Sequence, residues 1–166
     1  MESKLALVTG SFDPITVGHL DIVSRAAKLF DRVTLLVANN EEKQYMFSAV
    51  ERAEIARAAV ADLPNVMVDV CDGYVSAYAK EHGATAFVRG IRDGNDVAYE
   101  QDMAERNFGF CGLDTVLLFA KPEYHAVSST AARTCLAENI AADAFVPQKS
   151  LEKISEILCR RQGENL

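Results

Sequence analysis

His19 closes a polar stretch, Gly10-Ser-Phe-Asp-Pro-Ile-Thr-Val-Gly-His19, and an imidazole so placed can donate to a phosphoryl oxygen as charge develops on it. Gly10 lets a ligand approach the backbone, Pro14 stiffens the turn, and Gly18 brings His19 to a helix start, where unpaired N–H groups favour anions. The plainer alternative is that His19 only caps the helix or packs against it. The turn matches neither the Gly-x-Gly-x-x-Gly dinucleotide fingerprint nor a Walker A loop. Arg89 and Arg92, with Gly90 between them, offer two planar forks that match phosphate oxygens bidentately. Their alternative is to pair with Asp93, Asp96 and Glu100, fastening the loop to the next helix. Glu100 then orients one arginine or accepts a ribose hydroxyl. Lys43 reads by default as a solvated lysine, and only its place after the second strand argues for more. Ser128 and Ser129 read as helix caps, which by themselves build an anion site, and Arg133 lies about one turn further on.

The hydropathy pattern supplies elements to hold these groups. Residues 5–9 read as a short buried strand, followed by a helix with Leu20, Val23, Ala27 and Phe30 on one face. The continuous apolar run 33–38 reads as a strand buried on both faces. A polar loop over 39–47 leads to Ser48 and Glu51, spaced as a capping box ahead of an alanine-rich helix to about Leu63. A third strand over 66–70, a short helix over 74–82 and Gly83 as a left-handed cap come next. A fourth strand over 84–88 runs into a loop made of Arg89, Gly90, Ile91 and Arg92. Residues 97–108 predict a helix with Val97, Met103, Ala104 and Phe108 on one face. A fifth strand over 115–120, a loop over 121–127, a helix announced by Ser128 and Ser129, and a final helix over about 150–160 complete the chain.

Strands alternating with helices, without repeats or linkers, predict one domain over residues 1–166, an α/β three-layer sandwich with a five-stranded parallel sheet. In that topology the loops after strands one, two, four and five share one edge, so Ser11, His19, Lys43, Arg89, Arg92, Ser128 and Ser129 converge there.

The chain has 166 residues, 49% of them hydrophobic, enough for a sizeable core. With 17 Lys and Arg against 24 Asp and Glu, the formal charge of −7 argues against a nucleic-acid surface but leaves room for a small anion held by local cations. Cys71, Cys111, Cys135 and Cys159 show no metal-ligand or disulfide spacing, which fits reduced thiols in a cytosol, and His82 and His125 join no constellation. No apolar run has the length of a signal peptide or a membrane span, so a cytoplasmic protein without membrane partners is expected.

The Gly10 to His19 turn resembles the Thr/His-x-Gly-His motif of the nucleotidyltransferase superfamily. The wider pattern is similar to that of the bacterial phosphopantetheine adenylyltransferases: Met46-Phe47 ahead of Glu51-Arg52, Arg89-Gly-Ile-Arg92, Tyr99-Glu100, and Val127-Ser-Ser-Thr130 followed by Arg133. The resemblance implies a Rossmann-like nucleotidyltransferase fold and transfer of AMP from ATP to 4'-phosphopantetheine, giving dephospho-CoA and pyrophosphate in coenzyme A biosynthesis. It also implies in-line attack with no covalent intermediate. By resemblance His19, Lys43 and Arg92 are catalytic, and His19 meets the α-phosphate. Ser11 and Phe12 line the meeting point of nucleotide and acceptor. Lys43 and Arg89 hold the acceptor phosphate, and Val75 touches the pantetheine arm. Gly90, Ile91, Arg92 and Glu100 match ATP-binding positions, as do Tyr124, His125, Ala126, Val127, Ser128, Ser129 and Thr130. Mg2+ is expected to bind mainly through the ATP phosphates, with no protein metal site, and the assembly is expected to be a homohexamer.

The chain departs from the family at Thr9, where proline is usual, and at Glu42-Lys43-Gln44, where paired lysines are common. Phe108 and Tyr124 stand where arginine and tryptophan are frequent. Rival readings are a nicotinate or nicotinamide mononucleotide adenylyltransferase, whose turn usually carries His where Thr16 stands, a cytidylyltransferase, and a non-catalytic nucleotide-binding module.

Overall fold

Apolar and β-branched residues of the first two strands build the centre of the sheet. The computed structural model describes residues 3–40 and 42–163. Its elements in order are β1 (Leu5–Gly10), α1 (Val17–Leu29), β2 (Arg32–Ala38), α2 (Ala49–Ala59), β3 (Val66–Cys71), α3 (Val75–Glu81), β4 (Ala86–Ile91), α4 (Gly94–Cys111), β5 (Thr115–Phe119), α5 (Ser129–Ala137) and α6 (Gln148–Gly163). A 3-10 turn, Pro122–Tyr124, precedes α5. The five strands pair in parallel in the order β3-β2-β1-β4-β5.

Because successive side chains of a strand point to opposite faces, β1 feeds two cores. Ala6 and Val8 join Val33, Leu35 and Val37 beneath α1, α2 and α6, where Val23, Ile55, Ile154 and Ile157 are almost fully buried. Leu5 and Leu7 join Leu36, Phe87 and Ala79 on the face covered by α3. Three layers result, as the strand and helix alternation predicts.

The chain leaves β1 toward β2 and β3 in one direction and reaches β4 and β5 in the other, so the strand order reverses between β1 and β4. Ligand crevices in open α/β sheets form at this reversal, outside the carboxyl ends of the strands. Here the two strands also part. Pairing of β1 with β4 covers Ala6↔Ala86, Leu7↔Phe87 and Val8↔Val88, whereas β1 stays on β2 as far as Gly10↔Val37 and β4 stays on β5 as far as Ile91↔Phe119. A cleft opens beyond Val8 and Val88.

Several predicted boundaries move. Arg89, Gly90 and Ile91 belong to β4 rather than to a loop, because Leu117, Leu118 and Phe119 pair with them and Ile91 is buried. Helix α4 begins at Gly94, three residues before the predicted start, since Asp93 caps it by accepting the N–H groups of Asn95 and Asp96. The helix opened by Ser48 ends at Ala59 rather than near Leu63. Phe108, read on one face of α4 with Val97, Met103 and Ala104, is exposed, as is Val97, and Glu100 is the one buried residue of that helix. Gly83 does take the left-handed conformation, at φ 64°, as predicted.

Candidate active site

The sequence Thr16-Val-Gly-His19 folds as a capping box in which histidine fills the position normally held by Glu or Gln. The Thr16 hydroxyl accepts the His19 N–H at 3.3 Å, and Nδ1 of His19 accepts the Thr16 N–H at 3.1 Å. Since Nδ1 accepts, the proton of the neutral ring resides on Nε2. The ring meets Phe12 edge-on, with centroids 5.1 Å apart. Phe12 in turn folds under the backbone of Gly10, where a Cβ would meet its ring at 3.0 Å. Gly10 therefore makes room for Phe12 as well as for a ligand.

His19 keeps an open edge toward the cleft while most of its surroundings are protein. Burial, and after it the positive charges of Arg89 and Arg92, push its pKa down from 6.5 to about 4. At neutral pH the group is an uncharged Nε2–H donor.

The two arginines realise the pairing alternative and still face the cleft. Arg89 donates from Nε and Nη2 to the two carboxylate oxygens of buried Glu100, both at 2.7 Å. Its Nη1 donates to the Thr9 carbonyl, bridging the gap where β1 and β4 separate. Arg92 donates from Nε to Asp96 at 3.2 Å and is more open to solvent.

Two adjoining cavities fill the cleft. One is bounded by Thr16, Gly18, His19 and Ile22 of the turn and α1, by Gly90 and Arg92, and by Ala120, Tyr124, Val127, Ser128 and Ser129. The other is bounded by residues 8–12, His19, Ile22, Lys43, residues 88–90 and Ser129. His19, Ile22, Gly90 and Ser129 belong to both. A third, polar hollow runs outward from the second past Ser11, Lys43, Tyr45 and Arg133.

Helix α5 points its N-terminus into this junction. The Ser128 side chain accepts the Ala131 N–H at 3.1 Å, leaving the N–H groups of Ser129 and Thr130 without intrahelical partners. Ser129 donates its hydroxyl proton to the Pro14 carbonyl at 2.9 Å, and Arg133 donates to the Asp13 carbonyl at 2.7 Å, so α5 is stitched to the first turn.

Of the residues singled out in the sequence, Ser11, Phe12, His19, Lys43, Arg89, Gly90, Arg92, Tyr124, Val127, Ser128 and Ser129 line the cavities. Glu100 acts through Arg89. Ile91 is buried and offers its carbonyl to the Ala120 N–H. Thr130 accepts from Arg133, and His125 and Ala126 are exposed beside the 3-10 turn. Val75 packs at the start of α3 against the Leu5 and Leu7 core, away from the walls of these cavities.

Sequence reasoning missed Thr16, Asp13, Tyr45 and Arg52. The Thr16 cap was readable in principle as a Thr three residues before a polar side chain. The buried Asp13 carboxylate accepts the N–H groups of Met46 and Phe47, 2.8 and 3.0 Å away, and so binds the first turn to the loop after β2. No local pattern announces that pairing.

Residues 7–135 match the cytidylyltransferase-like family. The chain is 44% identical to the phosphopantetheine adenylyltransferase of Cutibacterium acnes over 142 residues, covering 86% of this chain and 90% of that one. It is 46% identical over 134 residues to the protein of that name from Acidovorax sp. (strain JS42), covering 80% and 81%. A third, from Rubrobacter xylanophilus, is 39% identical over 162 residues and covers 97% of this chain and 99% of its own.

Proposed function

The chain belongs to the phosphopantetheine adenylyltransferases, which transfer AMP from ATP to 4'-phosphopantetheine in coenzyme A biosynthesis, and from that premise we propose that the two cavities divide the substrates between them. The observation that carries this division is that His19 lines both. The cavity with Arg92, Tyr124 and the α5 N-terminus takes ATP, and the cavity with Ser11, Lys43 and Arg89 takes the acceptor phosphate.

In the reaction an acceptor phosphate oxygen forms a bond to the α-phosphorus while the bond from that phosphorus to the leaving oxygen breaks, and pyrophosphate departs with the electron pair. Charge gathers on the α-phosphoryl oxygens. The His19 Nε2–H is oriented by Thr16 before substrate arrives, so it meets that charge without reorganising. A neutral donor suits the task because no proton has to be transferred. Lys43, Arg89 and Arg92 bring two anionic reactants together against their mutual repulsion, so catalysis is positioning and charge stabilisation.

ATP enters with magnesium, which neutralises phosphate charge when bound. The cleft's carboxylates are already engaged, Asp13 by backbone N–H groups, Glu100 by Arg89 and Asp96 by Arg92. That engagement supports a reading in which the ion, when present, would be held mainly by the nucleotide's phosphates. Val97, Tyr99, Phe108 and Phe110 leave apolar surface exposed on α4, which supports association of copies through that helix; the homohexamer itself is our proposal from the family resemblance. We place the protein in the cytoplasm; among the described residues no helix is long and apolar enough to cross a membrane.

The test is direct. Purified protein with ATP, magnesium and 4'-phosphopantetheine should release pyrophosphate, and silence there with release on nicotinate mononucleotide would overturn the assignment.

A further inference from the structure

Arg52 is a buried cation that donates its hydrogen bonds to neutral oxygens. Its side chain is 0% exposed and donates to the carbonyls of Ser11 at 2.6 Å, Ala38 at 3.1 Å and Phe47 at 3.2 Å, and to Oδ1 of Asn39 at 2.8 Å. These partners come from the turn after β1 and from the end of β2 with the loop that follows it. One guanidinium thus joins the two segments that carry Ser11 and Lys43. Among the described residues no carboxylate lies in ion-pair contact with it, and Asp13 acts on it only through space.

A buried charge without a contacting carboxylate is costly, and burial lowers the Arg52 pKa against the opposing fields of Tyr45 and Asp13. An anion bound above Ser11 and Lys43 would relieve that cost. The face of Arg52 toward the outer hollow is covered by Tyr45, whose ring centroid is 3.9 Å from the guanidinium carbon. The Tyr45 hydroxyl accepts the Asn40 N–H at 3.0 Å, and the Asn40 carbonyl accepts the Lys43 N–H at 3.0 Å. Lys43 itself is exposed, with no stacking or ion pair to restrain it among the described residues. Its backbone is fixed through Asn40, and Asn40 is fixed through Tyr45. Burial would raise the Tyr45 pKa, but the Ser11 hydroxyl, the Asn40 N–H and the charges of Arg52 and Lys43 outweigh it and hold the phenol below its usual value. The ring is therefore seated in a cationic corner that continues into the acceptor cavity.

We propose that Tyr45, stacked on the buried Arg52 guanidinium and bonded to Asn40, is a positioning residue that holds Lys43 over the acceptor cavity and sets affinity for the phosphorylated acceptor rather than for ATP. It rests on the assignment of the Lys43 cavity to the acceptor. Tyr45 touches no reacting atom. It acts through Lys43, so its contribution exists only where Lys43 has an anion to hold.

The experiment compares steady-state kinetics of Tyr45→Phe, Tyr45→Ala, Lys43→Ala and the Lys43→Ala/Tyr45→Ala double variant, with ATP and 4'-phosphopantetheine varied separately. Tyr45→Ala should raise the acceptor KM by about five- to tenfold, the scale of one lost hydrogen bond, with the ATP KM and kcat within about twofold of the parent. Tyr45→Phe keeps the ring on Arg52 and loses only the hydroxyl's interactions with the Asn40 N–H and the Ser11 side chain, so it should show a smaller change of the same kind, and it carries the test if Tyr45→Ala fails to fold. The double variant should be no worse than Lys43→Ala alone, because the two residues act as a unit. Equal rises in both KM values, or additive losses in the double variant, would overturn the positioning role while leaving the acceptor cavity in place. If Lys43→Ala leaves the acceptor KM unchanged, the cavity assignment itself fails.

Discussion

The Thr16 backbone N–H donates to Nδ1 of His19 across 3.1 Å, and the Thr16 hydroxyl receives the His19 N–H in return at 3.3 Å. One threonine therefore caps α1 and fixes the tautomer of the His19 ring. Thr16→Val keeps the shape of this buried side chain and the N–H to Nδ1 bond but removes the capping oxygen. Stability should fall by roughly 1 kcal/mol, the usual worth of an N-cap, while turnover falls only modestly. Thr16→Ser should restore both. Thermal denaturation and kcat, measured on the same preparations, check the pair.

His19→Ala removes the donor itself. Turnover should drop by about 100-fold or more, the scale for losing one preorganised hydrogen bond to developing charge, with the fold retained. Both KM values should change little, because the lost bond strengthens only in the transition state. Steady-state kinetics with circular dichroism as the folding control would read this, and full turnover would remove His19 from the mechanism.

Acidification should expose the same group. Burial, then Arg89 and Arg92, hold the folded pKa of His19 at about 4 against 6.5 for a free histidine. Between those values the unfolded chain binds more protons than the folded one, so this contribution to stability is complete above pH 6.5 and is lost as pH falls toward 4. NMR of the ligand-free protein should show the Nε2–H tautomer at neutral pH and a His19 midpoint near 4. Arg92→Ala should move that midpoint upward. A midpoint at or above 6 in the parent would contradict the buried, cation-flanked setting.

How much of this was legible in the chain varies with the range of the interaction. Residues 33–38 announce β2 because their apolar run needs no partner to be recognised, and Ser48 with Glu51 announces α2 because the capping box is local. The convergence of Ser11, His19, Lys43, Arg89 and Ser129 follows from parallel topology alone, since it places every strand's carboxyl end on one edge. Arg89 and Gly90 misled the boundary of β4 because a charged residue beside glycine reads as a loop, and only the register with Leu117 and Leu118 makes them strand. Arg52 was invisible as a strut because its partner Ser11 lies 41 residues away. Exposure of Phe108 on α4 could not be read from periodicity, which marks an apolar face without saying which surface covers it.

Arg89→Ala and Glu100→Gln separate binding from orientation. Arg89 lines the cavity proposed for the acceptor, so its loss should raise the KM for 4'-phosphopantetheine more than that for ATP. It also strands the buried Glu100 carboxylate, and a stability loss of about 3 kcal/mol is expected from an unpaired buried charge. Glu100→Gln keeps one accepting oxygen for the guanidinium. It should lower stability less and raise the acceptor KM only partly. Equal KM effects on both substrates in Arg89→Ala would refute the division of the cleft.

Gly90 packs against Ile22 in the cleft wall. A Cβ on Gly90 would lie 2.8 Å from Cγ1 and 3.1 Å from Cδ1 of Ile22, and both residues line both cavities. Cγ1 is near the root of the Ile22 side chain, so it cannot swing clear without moving α1. Helix α1 carries His19 one turn earlier, and any displacement is felt at the donor. Gly90→Ala should therefore cost roughly 1–3 kcal/mol of stability, as overpacking of a dense interior does, and should lower kcat as well. Ile22→Ala opens the needed space, so the Gly90→Ala/Ile22→Ala double variant should lose less stability than the two single losses added together. Thermal denaturation across the four proteins measures that coupling, and simple additivity would show that β4 yields to the extra methyl instead of pressing on α1.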